Sequence, residues 1–157
     1  SAIELQAPEV VARIEETLNL YEVPGRHLEL EITETAAMTD PEHNLRTLQA
    51  LRDLGVSIAI DDFGTGYSSL AYLKALPVDR LKIDRSFIAG IPDSAKDAAI
   101  TQTVTALGRN LELAVLAEGV EIPEQAAFLR EWGVQEVQGF LYDAALPPEA
   151  VLARYGR

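Results

Sequence analysis

Glu31, Asp61, Lys82, Glu118 and Gln138 each stand at or beside the end of a short, mostly apolar segment, at 28–32, 56–60, 81–83, 113–117 and 136–138. In a strand, successive side chains point to opposite faces. Leu28, Leu30 and Ile32 then oppose Glu29 and Glu31, while Val56, Ile58 and Ile60 oppose Ser57, Ala59 and Asp61. Lys82 opposes Leu81 and Ile83, and Glu118 and Gln138 follow the same parity. Five polar groups should therefore meet at one end of a sheet. Glu31, Asp61, Asp62 and Glu118 cannot all stay ionised beside a single lysine, so the pattern calls for one or two divalent metals. All-oxygen ligands favour Mg²⁺ or Mn²⁺, and a carboxylate shared by two ions forms the clamp used in phosphoester hydrolysis.

Asp61-Asp62-Phe63-Gly64-Thr65-Gly66-Tyr67-Ser68-Ser69 adds a glycine-rich loop, with Gly64, Thr65 and Gly66 at its turn. Such a loop lets backbone N–H groups approach a phosphate; by itself it reads equally as a tight turn whose helix is capped by Ser68. Taken singly, Glu31 with Glu34 reads as a solvated helix start, Lys82 with Asp84 as a structural ion pair, and Glu118 with Glu121 as first-turn acids of a helix. His27 and His43 have no histidine partner at ligand spacing. Phe128 and Trp132, four residues apart, fit the buried face of a helix better than a nucleobase platform.

The elements that must position these groups alternate. Pro8 opens a helix carrying Val11, Ile14, Leu18 and Tyr21, which Pro24-Gly25 ends. Asp40 before Pro41 caps a second, with Leu45, Leu48, Leu51 and Leu54 as its stripe and Gly55 as its stop. Further helices are expected at 68–76, 94–110, 123–132 and 148–155, with Ser94 and Asp97 as a capping box and Gly133 closing the 123–132 helix. Strands separated by helices predict a parallel α/β sheet with right-handed crossovers and a site at its carboxyl edge, the arrangement of α/β barrels.

With 25 acidic against 13 basic residues the chain carries a net charge of −12, which disfavours direct binding to DNA or to an anionic membrane. It has no cysteine, which removes disulfides, thiolate catalysis and cysteine-held zinc. No apolar run approaches the roughly 20 residues that span a bilayer, so a cytoplasmic setting is expected, including the cytoplasmic part of a larger membrane-anchored protein.

Glu31-Ile32-Thr33-Glu34, the Asp61–Ser69 loop with Leu70, Leu81-Lys82-Ile83-Asp84-Arg85-Ser86-Phe87, Ala117-Glu118-Gly119-Val120-Glu121 and Gln138-Gly139 resemble, in order and spacing, the motifs of the EAL domain family, the cyclic di-GMP phosphodiesterases of bacterial signalling. The resemblance implies a (β/α)₈ TIM-type barrel that hydrolyses cyclic di-GMP to linear pGpG with two Mg²⁺ or Mn²⁺ ions. It implies Glu31 as a ligand of the first metal, Asp61 as the bridge, and Asp62 and Glu118 as ligands of the second. Lys82 would orient or activate water, Glu121 and Gln138 would complete the metal-and-water network, Glu34 would brace the glycine-rich loop, and Asp84 would position Lys82.

The family's name-giving Glu-Ala-Leu segment and its metal-binding Asn do not occur in these residues, and Ser1 aligns with the Ser of the family's Asn-x-Ser. Residues 1–157 are therefore expected to form the carboxyl-terminal two thirds of a single EAL domain, an incomplete barrel of about five βα units where a complete one takes about 250 residues. Weak or absent turnover by the chain alone follows, as does a homo-oligomer or a complementing segment at the open edges. Tyr142-Asp143-Ala144-Ala145-Leu146-Pro147 stands where relatives more often carry a basic residue before proline. A non-catalytic domain that binds cyclic di-GMP or a protein is the alternative; from the residues alone, a metal-dependent lyase or isomerase that stabilises an enolate is another.

Overall fold

The computed structural model describes residues 2–66 and 70–156; the Ser68 cap lies outside the described residues. Its elements are α1 (Ala2–Leu5), α2 (Val10–Leu20), β1 (Glu29–Thr33), α3 (Glu34–Met38), α4 (Pro41–Asp53), β2 (Ser57–Phe63), α5 (Leu70–Leu73), β3 (Arg80–Ile83), α6 (Arg85–Ala89), α7 (Ala95–Asn110), β4 (Ala114–Ala117), α8 (Pro123–Trp132), β5 (Glu136–Val137) and α9 (Pro148–Tyr155). The strands form one parallel sheet in the order β1-β2-β3-β4-β5. Sheet order follows chain order, so each connection passes over the same face and the sheet curves as part of an α/β barrel.

Most of the expected helix signals act as read, but α2 ends at Leu20, leaving Tyr21 outside it and well before Pro24-Gly25, and Leu45 of the expected α4 stripe is exposed. Asp40 accepts from the His43 N–H at the start of α4, and Gly133 takes the left-handed conformation after α8. Ser94 accepts from the Asp97 N–H at α7, one half of the expected capping box. The helix read at 68–76 is confined, among described residues, to α5. Its carboxyl end precedes Pro77, which disfavours helical backbone at Leu76. Of the short helices α3 and α6, the first begins at Glu34, where a helix start is one reading of the sequence, and the second was not expected. Each is capped by the residue that ends or follows a strand, whose side chain accepts, Thr33 from the Ala36 N–H and Asp84 from the Ser86 N–H.

Ile58, Ile60, Leu81, Ile83 and Val115 are fully buried between sheet and helices, each such side chain stabilising the fold by about 1.5–3 kcal/mol. Phe128 and Trp132 meet edge to face, 5.3 Å between ring centres, and pack against this core. The opposite face is closed at its middle, where Ala59, Lys82 and Leu116 are buried. At the amino end of β3, Arg80 reaches both flanks: Nη1 donates to Glu29 on β1 and Nη2 to Glu136 on β5, each at 2.8 Å.

Candidate active site and metal centre

Strict alternation along β2 would send Asp61 and Asp62 to opposite faces. Ile60 pairs with Leu81 and Phe63 with Ile83, so both aspartates stand opposite Lys82 alone. This is a β-bulge, a device that re-aims a side chain. Asp62 absorbs the extra residue with φ 54°, left-handed backbone that aspartate tolerates better than most residues.

Lys82 is 3% exposed. Its Nζ lies 2.6 Å from Glu31 Oε1, 2.7 Å from Glu118 Oε1 and 3.0 Å from Asp61 Oδ1. Burial works against the ammonium, but its bonds to Glu118 and Glu31 and the adjacent Asp61 carboxylate outweigh it and hold the Lys82 pKa above its ordinary value. The contact to Asp61 Oδ1 is an ion pair without hydrogen-bond alignment, and this buried oxygen has no hydrogen-bond donor.

Asp61, Asp62 and Glu118 each offer a carboxylate oxygen within 4.8 Å of the other two. Burial, and after it the charges of Asp61 and Asp84, raise the Asp62 pKa. Burial likewise raises that of Glu118 against the opposing pull of Lys82. A hard divalent cation fits this donor set: it would satisfy the orphaned Asp61 oxygen and relieve the repulsion that raises its neighbours. Glu31 lies outside the group of three and joins it through Lys82.

Glu34 is not solvated but 2% exposed, and its Oε2 accepts from Gly64 N–H at 2.9 Å and Gly66 N–H at 3.3 Å. A Cβ at Gly66 would lie 3.0 Å from Glu34 Oε1, so any side chain there would press on the carboxylate that braces the loop. Thr65 turns the loop by donating to the Asp62 carbonyl. Gln138 donates to Glu118 Oε1 at 2.7 Å. Glu118 and Glu121 precede α8 rather than opening it; Glu121 is exposed and stands outside the group of three. Asp84 does not pair with Lys82. It caps α6, accepting from the Ser86 N–H, and its charge is one of those that raise the Asp62 pKa. His27 lies in the turn before β1, and His43 meets only Thr47. Asp143 accepts from Arg154 at 2.7 Å and from the Tyr155 hydroxyl, so this acid anchors α9.

Sequence reasoning missed Gln125. Buried at the third position of α8, its Oε1 accepts from the N–H groups of Glu121 and Ile122, and its Nε2 donates to the Ile88 carbonyl. One amide thus fixes the loop carrying Glu118 and Glu121 against α6. A glutamine three residues after a helix cap is the signal that could have found it.

The EAL domain model matches residues 1–145. The chain is 55% identical over 124 residues to the cyclic di-GMP phosphodiesterase NbdA of Pseudomonas aeruginosa, covering 79% of this chain and 16% of that protein. The solved PaMucR phosphodiesterase in complex with c-di-GMP superposes with a TM-score of 0.94 at 45% identity, covering 97% of this chain and 62% of that one. Klebsiella pneumoniae BlrP1, solved with manganese and cyclic di-GMP, gives 0.80 at 33% identity over 88% of this chain and 35% of that one. This chain thus spans less than two thirds of each of these proteins. With the five motifs in register on one parallel sheet and a family match over nearly its whole length, the chain belongs to the EAL domain family.

Proposed function

We propose that this chain supplies the larger part of a cyclic di-GMP phosphodiesterase site, with two Mg²⁺ or Mn²⁺ ions. The observation that carries the reading is the convergence of the Asp61, Asp62 and Glu118 carboxylates beside a buried lysine. Asp61, Asp62 and Glu118 would hold one ion, and Glu31 with Asp61 would contribute to the other. When bound, the ions supply Lewis acidity toward the phosphoryl oxygen and lower the pKa of water. Lys82, set between Glu31, Asp61 and Glu118, would orient or activate the attacking water. Gln138 holds Glu118 in place, and Glu121 at the rim joins the metal-and-water network. Hydrolysis forms a P–O bond from water and breaks the P–O bond to one ribose oxygen, which leaves as a hydroxyl and yields pGpG.

The test is incubation of the chain with cyclic di-GMP and excess Mn²⁺, following pGpG by chromatography beside Lys82→Ala. The expected result is weak turnover, lowered on the order of 100-fold in the variant. Equal turnover by both proteins would remove Lys82 from the mechanism. Glu31, drawn to Lys82 and apart from the group of three, favours a second reading, binding without hydrolysis. Saturable cyclic di-GMP binding with no pGpG would support it.

A further inference from the structure

Every described segment that leaves the carboxyl end of a strand is rich in acids. Residues 33–40, 62–66, 84–87, 118–122 and 138–147 carry Glu34, Asp40, Asp62, Asp84, Glu118, Glu121 and Asp143, and among them Arg85 is the sole basic residue. Lys82, the other cation at this mouth, is buried and engaged by three carboxylates. Of the other described basic residues, Arg154 on α9 is engaged by Asp143, Arg80 by Glu29 and Glu136 at the amino end of β3, and Arg13 on α2 lines the cavity beside β1 together with Glu31.

Arg85 is exposed, and it forms no hydrogen bond or ion pair through its side chain among the described residues. Its neighbours fix where it is rooted. Its helix α6 meets the glycine-rich loop, where a Cβ on Gly64 would lie 3.1 Å from the Phe87 ring, and a Cβ on Gly119 would lie 2.6 Å from Arg85 Cβ. Gly119, with φ +71°, directly follows Glu118. The arginine is thus planted between the two loops that carry the second metal's proposed ligands. A doubly anionic dinucleotide approaching a chain of net charge −12 meets in Arg85 an exposed cation that no acid among the described residues engages.

We propose that Arg85 is a substrate-binding residue whose guanidinium pairs with a phosphate of the cyclic dinucleotide, a group that its planar fork matches with two parallel N–H···O bonds. The inference rests on the phosphodiesterase reading above and adds to it the cation on the substrate side.

The test is equilibrium binding of cyclic di-GMP to the chain in the presence of Ca²⁺, comparing the unaltered protein with Arg85→Gln, Arg85→Ala and Arg85→Lys. Ca²⁺ is chosen because BlrP1 has been solved with calcium and cyclic di-GMP. Removal of the charge should raise Kd roughly tenfold or more, and lysine should recover part of it. The slope of log Kd against log salt should fall by about one phosphate contact in the glutamine and alanine variants. Unchanged Ca²⁺ affinity and thermal midpoint in the variants would assign the loss to the nucleotide. Variants that bind as the unaltered chain does would overturn the role of Arg85 alone. An unaltered chain that takes up Ca²⁺ but no cyclic di-GMP would overturn the dinucleotide reading and this one with it.

Discussion

At the scale of single residues, the site is organised by a shortage of positive charge. Lys82 is shared by Glu31, Asp61 and Glu118, and both Asp62 and Glu118 hold their protons to higher pH than free carboxyls. The sign follows: a carboxyl whose folded pKa is raised favours the fold when protonated, and that contribution disappears as pH rises through the folded value. A divalent cation must displace these protons to bind. Mn²⁺ affinity should therefore weaken as pH is lowered through the raised pKa values, at higher pH than ordinary carboxyls would allow, and approach tenfold per pH unit for each competing proton below them. Calorimetry in two buffers of different ionisation enthalpy would show proton release at the acid end. Affinity that falls only where ordinary carboxyls protonate would mean that the raised pKa values of Asp62 and Glu118 do not govern binding.

At the scale of elements, Arg80 reaches from the central strand to both flanks. One guanidinium can bridge β1 and β5 only because the sheet curves around it, so its two ion pairs support that curvature. Arg80→Met should cost about 1–2 kcal/mol, the groups being partly exposed, and should lower the urea midpoint. Adding Glu29→Gln and Glu136→Gln should restore part of the loss by removing the unpaired acids. An unchanged midpoint in the single variant would reduce the bridge to a surface contact. The fold was largely legible because strand parity, Asp40, Ser94, Pro123 and Gly133 are local signals that the tertiary structure obeys. Parity also placed Glu31, Asp61 and Lys82 on one face. It could not place Asp62, which depends on a bulge invisible to alternation, nor Arg80 and Gln125, whose partners are 51 and 37 residues away. The pairing of Lys82 with Asp84 failed for the same reason, since sequence proximity says nothing of where a chain turns.

At the scale of the whole molecule, the sheet has two flanks, and β1 and β5 each have one neighbour among the described strands. Beside β1 lies a cavity of about 340 Å³ lined by Ile14, Leu30, Ile32, Leu48 and Leu51. Near β5, Phe140 and Leu152 are more than two thirds exposed. Unpaired strand edges next to apolar surface recruit further strands, from another copy or from a complementing segment. The net charge of −12 opposes self-association through repulsion that salt screens. The 157-residue chain should therefore sediment as more than one copy at high concentration, with the larger species favoured as salt is raised from about 0.01 to about 0.15 M, where the Debye length falls from roughly 30 to 8 Å. Leu30→Lys should shift it toward the monomer by placing a charge in the groove beside β1. A chain that stays monomeric at every concentration and salt would show that its own side chains suffice to protect the open edges, and that oligomerisation has no part in completing the site.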